Sequence, residues 1–586
     1  MTSSRTTGRP WLSAYGDDIE AELPAPRHAS LAEMGHSACT RFADRTAFTC
    51  VVPNGMNGSL TYGQVDSMSD AFAAFLRIDC DLDPGDRVAV QLPNTLSYPI
   101  VALGVFKAGC VLVNTNPLYT RSEMLHQFTD AEVKVLVIVD IFADKLADVV
   151  PQTGIERVVL AGVPEFFPRV PEFIVRTVQK VWTRSLPPIP QLPVPVTRIR
   201  AALAAGRKHK ADAKQWWQGL ERRNLAMLQY TGGTTGVAKG AMLSHGAMLA
   251  NIDQVLAMGR AYMDRETCVL TALPLYHIFA FTANFLSFFD IGARNVLIPS
   301  PRPVQNLQRA VENYPITWIT GVNTLFNALT NEEWFTAHPP KHLVAAIAGG
   351  TALHAAVARR WHEVTGTPVA EGYGLTECAP VVSFNPMGDR SRPGSIGIPV
   401  PGTEVALVDD DDAPVEDGKP GELLVRGPQN MDGYWRRPED TDSTLRNGWV
   451  YTGDVATMDD DGYLHIVDRK KDLVIVSGFN VYPNEIEDAL AKFDPVLEAA
   501  VVGIPDEKTG EAVRAYVVPN PDHVGEPLTR EAIVKHCRTL LAPYKVPRSV
   551  VIRDELPKSP IGKILRKDLK AEVREEFKAA TPASAA

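Results

Sequence analysis

Apolar positions in the first quarter of the chain fall into short runs separated by longer mixed segments. "RVAVQL" (87–92), "VLVN" (111–114) and "VKVLVIV" (133–139) are nearly continuous apolar runs, the pattern of strands buried on both faces. Between them, "SYPIVALGVFKAG" and "RSEMLHQFTD" read as helices. This alternation predicts an α/β fold with parallel sheets covered by helices. No short-period repeat is present, which argues against a solenoid.

From 164 to 200 the rhythm breaks. "PEFIVRTVQKVWTRSL" sets Ile174, Val178, Val181 and Trp182 on one helical face, with Arg176, Lys180 and Arg184 at every fourth residue. Proline-rich "PPIPQLPVPV" follows. This basic amphipathic segment could be a surface helix packed on the body or an interfacial helix on anionic lipid. Past Asp472, the helix "PNEIEDALAKFD", strands "VLEAAVVG" and "EAVRAYVVP", the helix "TREAIVKHCRTLL" and the strand "SVVIRDEL" make a small α+β unit.

Composition narrows the class. A chain of 586 residues with 45% hydrophobic and 22% charged positions is an ordinary globular protein of more than one domain. Its net charge of −10 argues against nucleic acid as the main partner. The seven cysteines show no CxxC pair, so neither a zinc site nor a disulfide framework is expected. That usage fits a reducing, cytoplasmic setting. No secretory h-region and no apolar run long enough to span a bilayer are seen.

The chemistry begins at "LAMLQYTGGTTGVAKGAMLSH", read as a strand (225–230), a loop, and a helix beginning near Ser244. Thr231, Gly232, Gly233, Thr234, Thr235, Gly236 and Lys239 crowd this loop. Glycines let backbone N–H groups approach phosphate, and hydroxyls and a lysine add donors. Gly-Lys-Ser/Thr is absent, so this is not a Walker A loop.

"YTGGTTGVAKG" resembles the phosphate-binding signature of the adenylate-forming enzymes, the superfamily of acyl-CoA synthetases, peptide-synthetase adenylation domains and luciferases. "EGYGLTE" (371–377), "YTGDVA" (451–456), "DRKKDLVIVSGFNVYPNEIE" (468–487) and "PKSPIGKILRKDL" (557–569) resemble its later motifs, in order. "LPLYHIFAFT", "ITGVNTLFNAL" and "EGYGLTECAP" are closest to bacterial long-chain fatty-acid–CoA ligases, whose basic apolar insert stands where 164–200 stands here.

The resemblance implies a large ATP- and fatty-acid-binding domain over 1–467, a hinge over 468–472, and a mobile lid domain over 473–586. It implies two half-reactions: ATP and a fatty acid give acyl-AMP and pyrophosphate, and coenzyme A then displaces AMP. A fatty acyl-AMP ligase loading a carrier protein, or a medium-chain ligase, stays open. A luciferase-type oxygenase and a non-enzymatic lipid binder are weaker readings.

Residue by residue, the resemblance gives the phosphates to 231–236 and Lys239, and Mg²⁺ to Thr234 and Glu377. Nucleotide contacts fall to Gly349, Gly350, Thr351, Glu371, Gly372, Tyr373, Gly374, Leu375 and Thr376, and to Asp454 and Arg469 at the ribose. His277 would orient the reacting carboxyl. Lys563 would stabilise charge during adenylation. Lys471 is the hinge position, and Gly478 and Phe479 would meet coenzyme A. Asn480 stands where some acetate-activating relatives have arginine, and an amide cannot make the same ion pair with a coenzyme A phosphate. "FAFTANFLSFF" (279–289) is a candidate acyl-tunnel lining or an ordinary buried helix. An anionic membrane surface and a homodimer are further partners the resemblance suggests.

Overall fold

The structure is a computed structural model that describes residues 8–17, 19–231, 238–477, 479–506, 508–521, 523–559 and 562–580. The three early apolar runs form strands Arg87–Gln91, Val111–Asn114 and Val133–Val139, all parallel, with helices Ser97–Lys107 and Arg121–Asp130 between them. A capping box starts the second helix: Glu123 N donates to Thr120 Oγ1 while the Glu123 carboxylate accepts from Thr120 N. These strands belong to a seven-stranded sheet. A nine-stranded sheet packs beside it, its central strands Arg294–Leu297, Cys268–Thr271, Trp318–Gly321, Ala345–Gly349 and Val369–Gly374 running parallel. A five-stranded antiparallel sheet follows, including Trp449–Met458 and Leu464–Arg469.

One expected connection is different. The chain does not pass from the glycine-rich loop into a helix. It returns as strand Lys239–Ser244, antiparallel to Leu225–Thr231, with Thr231 opposite Lys239. Helix His245–Gly259 starts only after it, where Ser244 Oγ accepts from Ala247 N. The six-residue strand "KGAMLS" has a glycine and no alternation, so its period carried no signal.

The insert forms helix Arg169–Thr177 and a wide turn, Val178–Trp182. Arg176 leaves the predicted basic row. Its guanidinium turns inward, donating to buried Asp140 at 2.9 Å and Glu165 at 3.0 Å. Two buried carboxylates outweigh the hydration of one cation. Phe173 (72% exposed) and Trp182 (85% exposed) face out. The stretch ends inside the body: Val196–Arg198 is the edge strand of the seven-stranded sheet.

The C-terminal unit is a five-stranded sheet with helices Pro483–Ala491 and Arg530–Leu540. The chain closes on helix Arg566–Ala580, which the basic composition of this stretch disguised. Leu569 and Val573, one helical turn apart, bury it against strands Val496–Asp506 and Gly510–Pro519. All seven cysteines are unpaired thiols. No described helix is long and apolar enough to cross a membrane.

Candidate active site

A cleft of about 2130 Å³ lies between the carboxyl ends of the parallel strands and the C-terminal unit. Ligands of open α/β sheets bind at that edge. Its wall holds Thr231, Lys239, His277, Gly349, Gly350, Thr351, Asp454, Arg469, Lys471 and Lys563, and the whole of 371–377. Gly232, Gly233, Thr234, Thr235 and Gly236 lie outside the described residues, as does Gly478.

Strand register builds the acidic corner. Asp454 stands opposite Arg469 across the antiparallel pair, and Arg469 Nε meets Asp454 Oδ1 at 3.1 Å. Tyr373, on strand Val369–Gly374, donates its hydroxyl to Asp454 Oδ2 at 2.6 Å. Burial and then Asp454 push the Tyr373 phenol well above its ordinary range. Asp454 is thus fixed as an acceptor facing the cleft.

Glu377 sits in a short turn just past that strand, and its Oε1 accepts the Tyr434 hydroxyl at 2.5 Å. Lys239 pairs with Asp440 and lies 5.4 Å from the Tyr434 ring centroid. Sequence reading missed Tyr434 and Asp440. Their signal was "GYWRRPED", a Gly-Tyr ahead of the acidic first turn of helix Pro438–Thr444. Glu371 accepts from Gly394 N at 3.2 Å and Leu353 N at 3.4 Å. Burial outweighs those donors and pushes its carboxyl up to about 7.

Lys563 comes from the other side. A tight loop presents it: Ser559 N donates to Lys563 O at 2.7 Å, Lys563 N to Ser559 Oγ at 3.1 Å, and Gly562 N to Ser559 O at 2.8 Å. Gly562 has φ +89°, and a Cβ there would stand 2.6 Å from Thr324 Oγ1 of the large body. The loop docks on the body because that residue is glycine. Enclosure in the cleft, then Arg469, pull the ammonium of Lys563 down to about 7, and Asp454 opposes them. His277 is pulled down to about 4, by burial first and Lys563 second, so it is a neutral imidazole near pH 7.

Phe479 is off the cleft wall; it is 57% exposed and stacks on Tyr544 with centroids 4.9 Å apart. The stretch 279–289 divides its labour. Phe279, Ala283 and Phe288 line the cleft. Phe281, Phe285 and Phe289 turn into the core around Phe48, Tyr62 and Tyr98.

The large α/β body with its smaller C-terminal unit is the fold of the adenylate-forming enzymes. The chain belongs to the AMP-binding enzyme family, whose model matches residues 36–435, and the AMP-binding enzyme C-terminal domain model matches 485–563. It is 46% identical over 565 residues to a long-chain-fatty-acid–CoA ligase of Escherichia coli O157:H7, covering 96% of this chain and 98% of that one. A long-chain-fatty-acid–CoA ligase of Bacillus subtilis strain 168 is 34% identical, covering 97% and 98%. Among solved structures, ATP-bound MatB from Rhodopseudomonas palustris superposes with a TM-score of 0.77 at 27% identity, covering 93% of this chain and 99% of that one.

Proposed function

We propose that the protein is an AMP-forming fatty-acid–CoA ligase acting on long-chain acids. The observation that carries this is Lys563, held by the C-terminal unit and presented to the same cleft as Asp454 and His277. Asp454 accepts from the ribose hydroxyls. Lys239 exchanges Asp440 for phosphate oxygens, which compete for the same cation. His277, neutral, orients the fatty carboxylate beside the α-phosphorus. The carboxylate attacks phosphorus, pyrophosphate leaves, and Lys563 stabilises the charge that develops between two anions.

Among the described residues no cluster of three metal-ligating side chains is present. The cleft carboxylate Glu377 nevertheless fits Mg²⁺, which is commonly held by one or two carboxylates and by substrate phosphates. Glu377, with Thr234, would hold it, and it would neutralise charge on the triphosphate. Rotation about Lys471 then withdraws Lys563 and brings in the hairpin of Val474–Val476 and Phe479–Val481, where Gly478 leaves room for the thiol arm. Exposed Ile475 and Phe479 suit such a change of contact.

The insert supports a peripheral seat on an anionic membrane, at the cytoplasmic face. Its exposed Phe173, Val181 and Trp182 lie beside Lys180 and Arg184. Flotation with anionic vesicles tests this: Phe173→Ser with Trp182→Ser should abolish binding, and equal flotation would reject it.

The activity is tested by offering a fatty-acid series with ATP, Mg²⁺ and coenzyme A, with products read by mass spectrometry. Acyl-CoA and AMP are expected. Acyl-AMP that coenzyme A does not consume would point to a carrier-loading ligase, and no acyl product at any length would overturn the proposal.

A further inference from the structure

An apolar branch of the cleft has a direction that strand register fixes. Trp318 and Thr320 line it from one strand, and Ile347 and Gly349 from the next. Residues two apart share a face, so all four belong to one side of the sheet. Register pairs Thr320 with Ile347 and Trp318 with Ala345. The branch thus runs along the strands, from their carboxyl ends beside the reacting centre toward their amino ends. From Gly349 back to the level of Trp318 is about 13 Å, roughly ten carbons of an extended chain.

The last turn of helix His245–Gly259 lines the cleft too, with Val255, Met258 and Gly259 at i, i+3, i+4. At the amino end the loop 260–267 crosses over and puts Met263 on the wall. Three contacts hold it there. Tyr262 N and Met263 N both donate to Gly259 O, at 2.8 and 3.0 Å. Trp318 Nε1 donates to Tyr262 O at 3.3 Å. The Met263 thioether lies along the bare Cα of Gly259, where an added Cβ would stand 2.7 Å from its Sδ. Trp318 itself is braced edge-on against Phe288, centroids 5.2 Å apart. The far end therefore joins a fixed indole to an unbranched side chain with three rotatable bonds.

We propose that Met263 is the chain-length stop of the acyl branch. The inference rests on the fatty-acid reading above and names the residue that grades it. Acids that end near Trp318 leave Met263 on Gly259. Longer chains displace the thioether, which can rotate where a branched side chain could not.

The test is kcat/KM for acyl-AMP formation with octanoate, palmitate and behenate in the wild type, Met263→Ala and Met263→Trp. Met263→Ala should raise the palmitate-to-octanoate ratio, and Met263→Trp should lower palmitate turnover by roughly tenfold or more, since a blocked methylene costs that much. Octanoate turnover should stay within about twofold in both, which also reports folding. Unchanged profiles in both variants, or equal loss at every length, would overturn the assignment of Met263. A wild type that adenylates none of the acids would overturn the ligase reading instead.

Discussion

Lys563 and Glu371 both titrate near neutral pH in the cleft, and their signs are opposite. Lys563 is charged below about 7 and loses its charge as pH rises through that value. Glu371 gains charge over the same range. If adenylation needs the ammonium, kcat/KM for acyl-AMP formation falls above pH 7, because that parameter reports the free enzyme. Bound triphosphate raises the lysine's affinity for its proton, so the limb in kcat lies at higher pH. The Glu371→Gln variant should keep the limb; a level profile in it would exclude Lys563 as the group. Tyr434 makes a second residue-scale case. Tyr434→Phe leaves Glu377 without its 2.5 Å donor, and adenylation should fall about tenfold, the worth of one hydrogen bond to a charged group, with little change in melting temperature. At this scale the motif acids and Lys563 were legible because each stands in a spaced signature. Tyr434 and Asp440 were not, since a tyrosine and a helix-start acid look ordinary until a hairpin brings Lys239 to them.

Elements carried more of their own signal. The apolar runs at 87, 111 and 133 specify their strands because buried parallel strands have no solvent face to interrupt them. Strand Lys239–Ser244 stayed hidden because pairing with Leu225–Thr231, not its own period, makes it a strand. Helix Arg566–Ala580 hid its stripe of Leu569 and Val573 among charges. The loop before that helix makes an element-scale prediction. Gly562→Ala meets a left-handed φ and the Thr324 hydroxyl together, so the loop should lose its seat on the body. Adenylation should slow by about tenfold or more, while the melting temperature falls by no more than about a few degrees, the cost of one strained backbone position. Full activity in that variant would mean that the loop reaches the cleft by another route.

At the scale of the whole molecule, Lys563 is in the cleft and Phe479 is out of it, the arrangement proposed above for the first half-reaction. Arg566 holds it. Burial works against its charge, but Glu487 at 2.6 Å and Asp468 and Asp472 at 3.5 Å raise its affinity for the proton well above the ordinary value. Asp468 and Asp472 bracket the proposed hinge, and Glu487 lies in the C-terminal unit, so one guanidinium ties them together. Lys570 adds a 2.6 Å contact to Asp472. Arg566→Ala should loosen this arrangement, seen as a broader distance distribution between spin labels on the two units; an unchanged distribution would assign the hold to other contacts. No sequence pattern announces such a tie, because its partners are far apart in the chain and meet only in the folded protein. In the proposed mechanism one cleft serves both half-reactions, and Lys563 acts in the first. Single-turnover assays of Lys563→Ala test it most directly. Acyl-AMP formation from ATP and palmitate should fall by at least about a hundredfold, while conversion of supplied palmitoyl-AMP to the thioester stays within a few-fold of wild type. Equal loss in both halves, or loss in neither, would contradict the account.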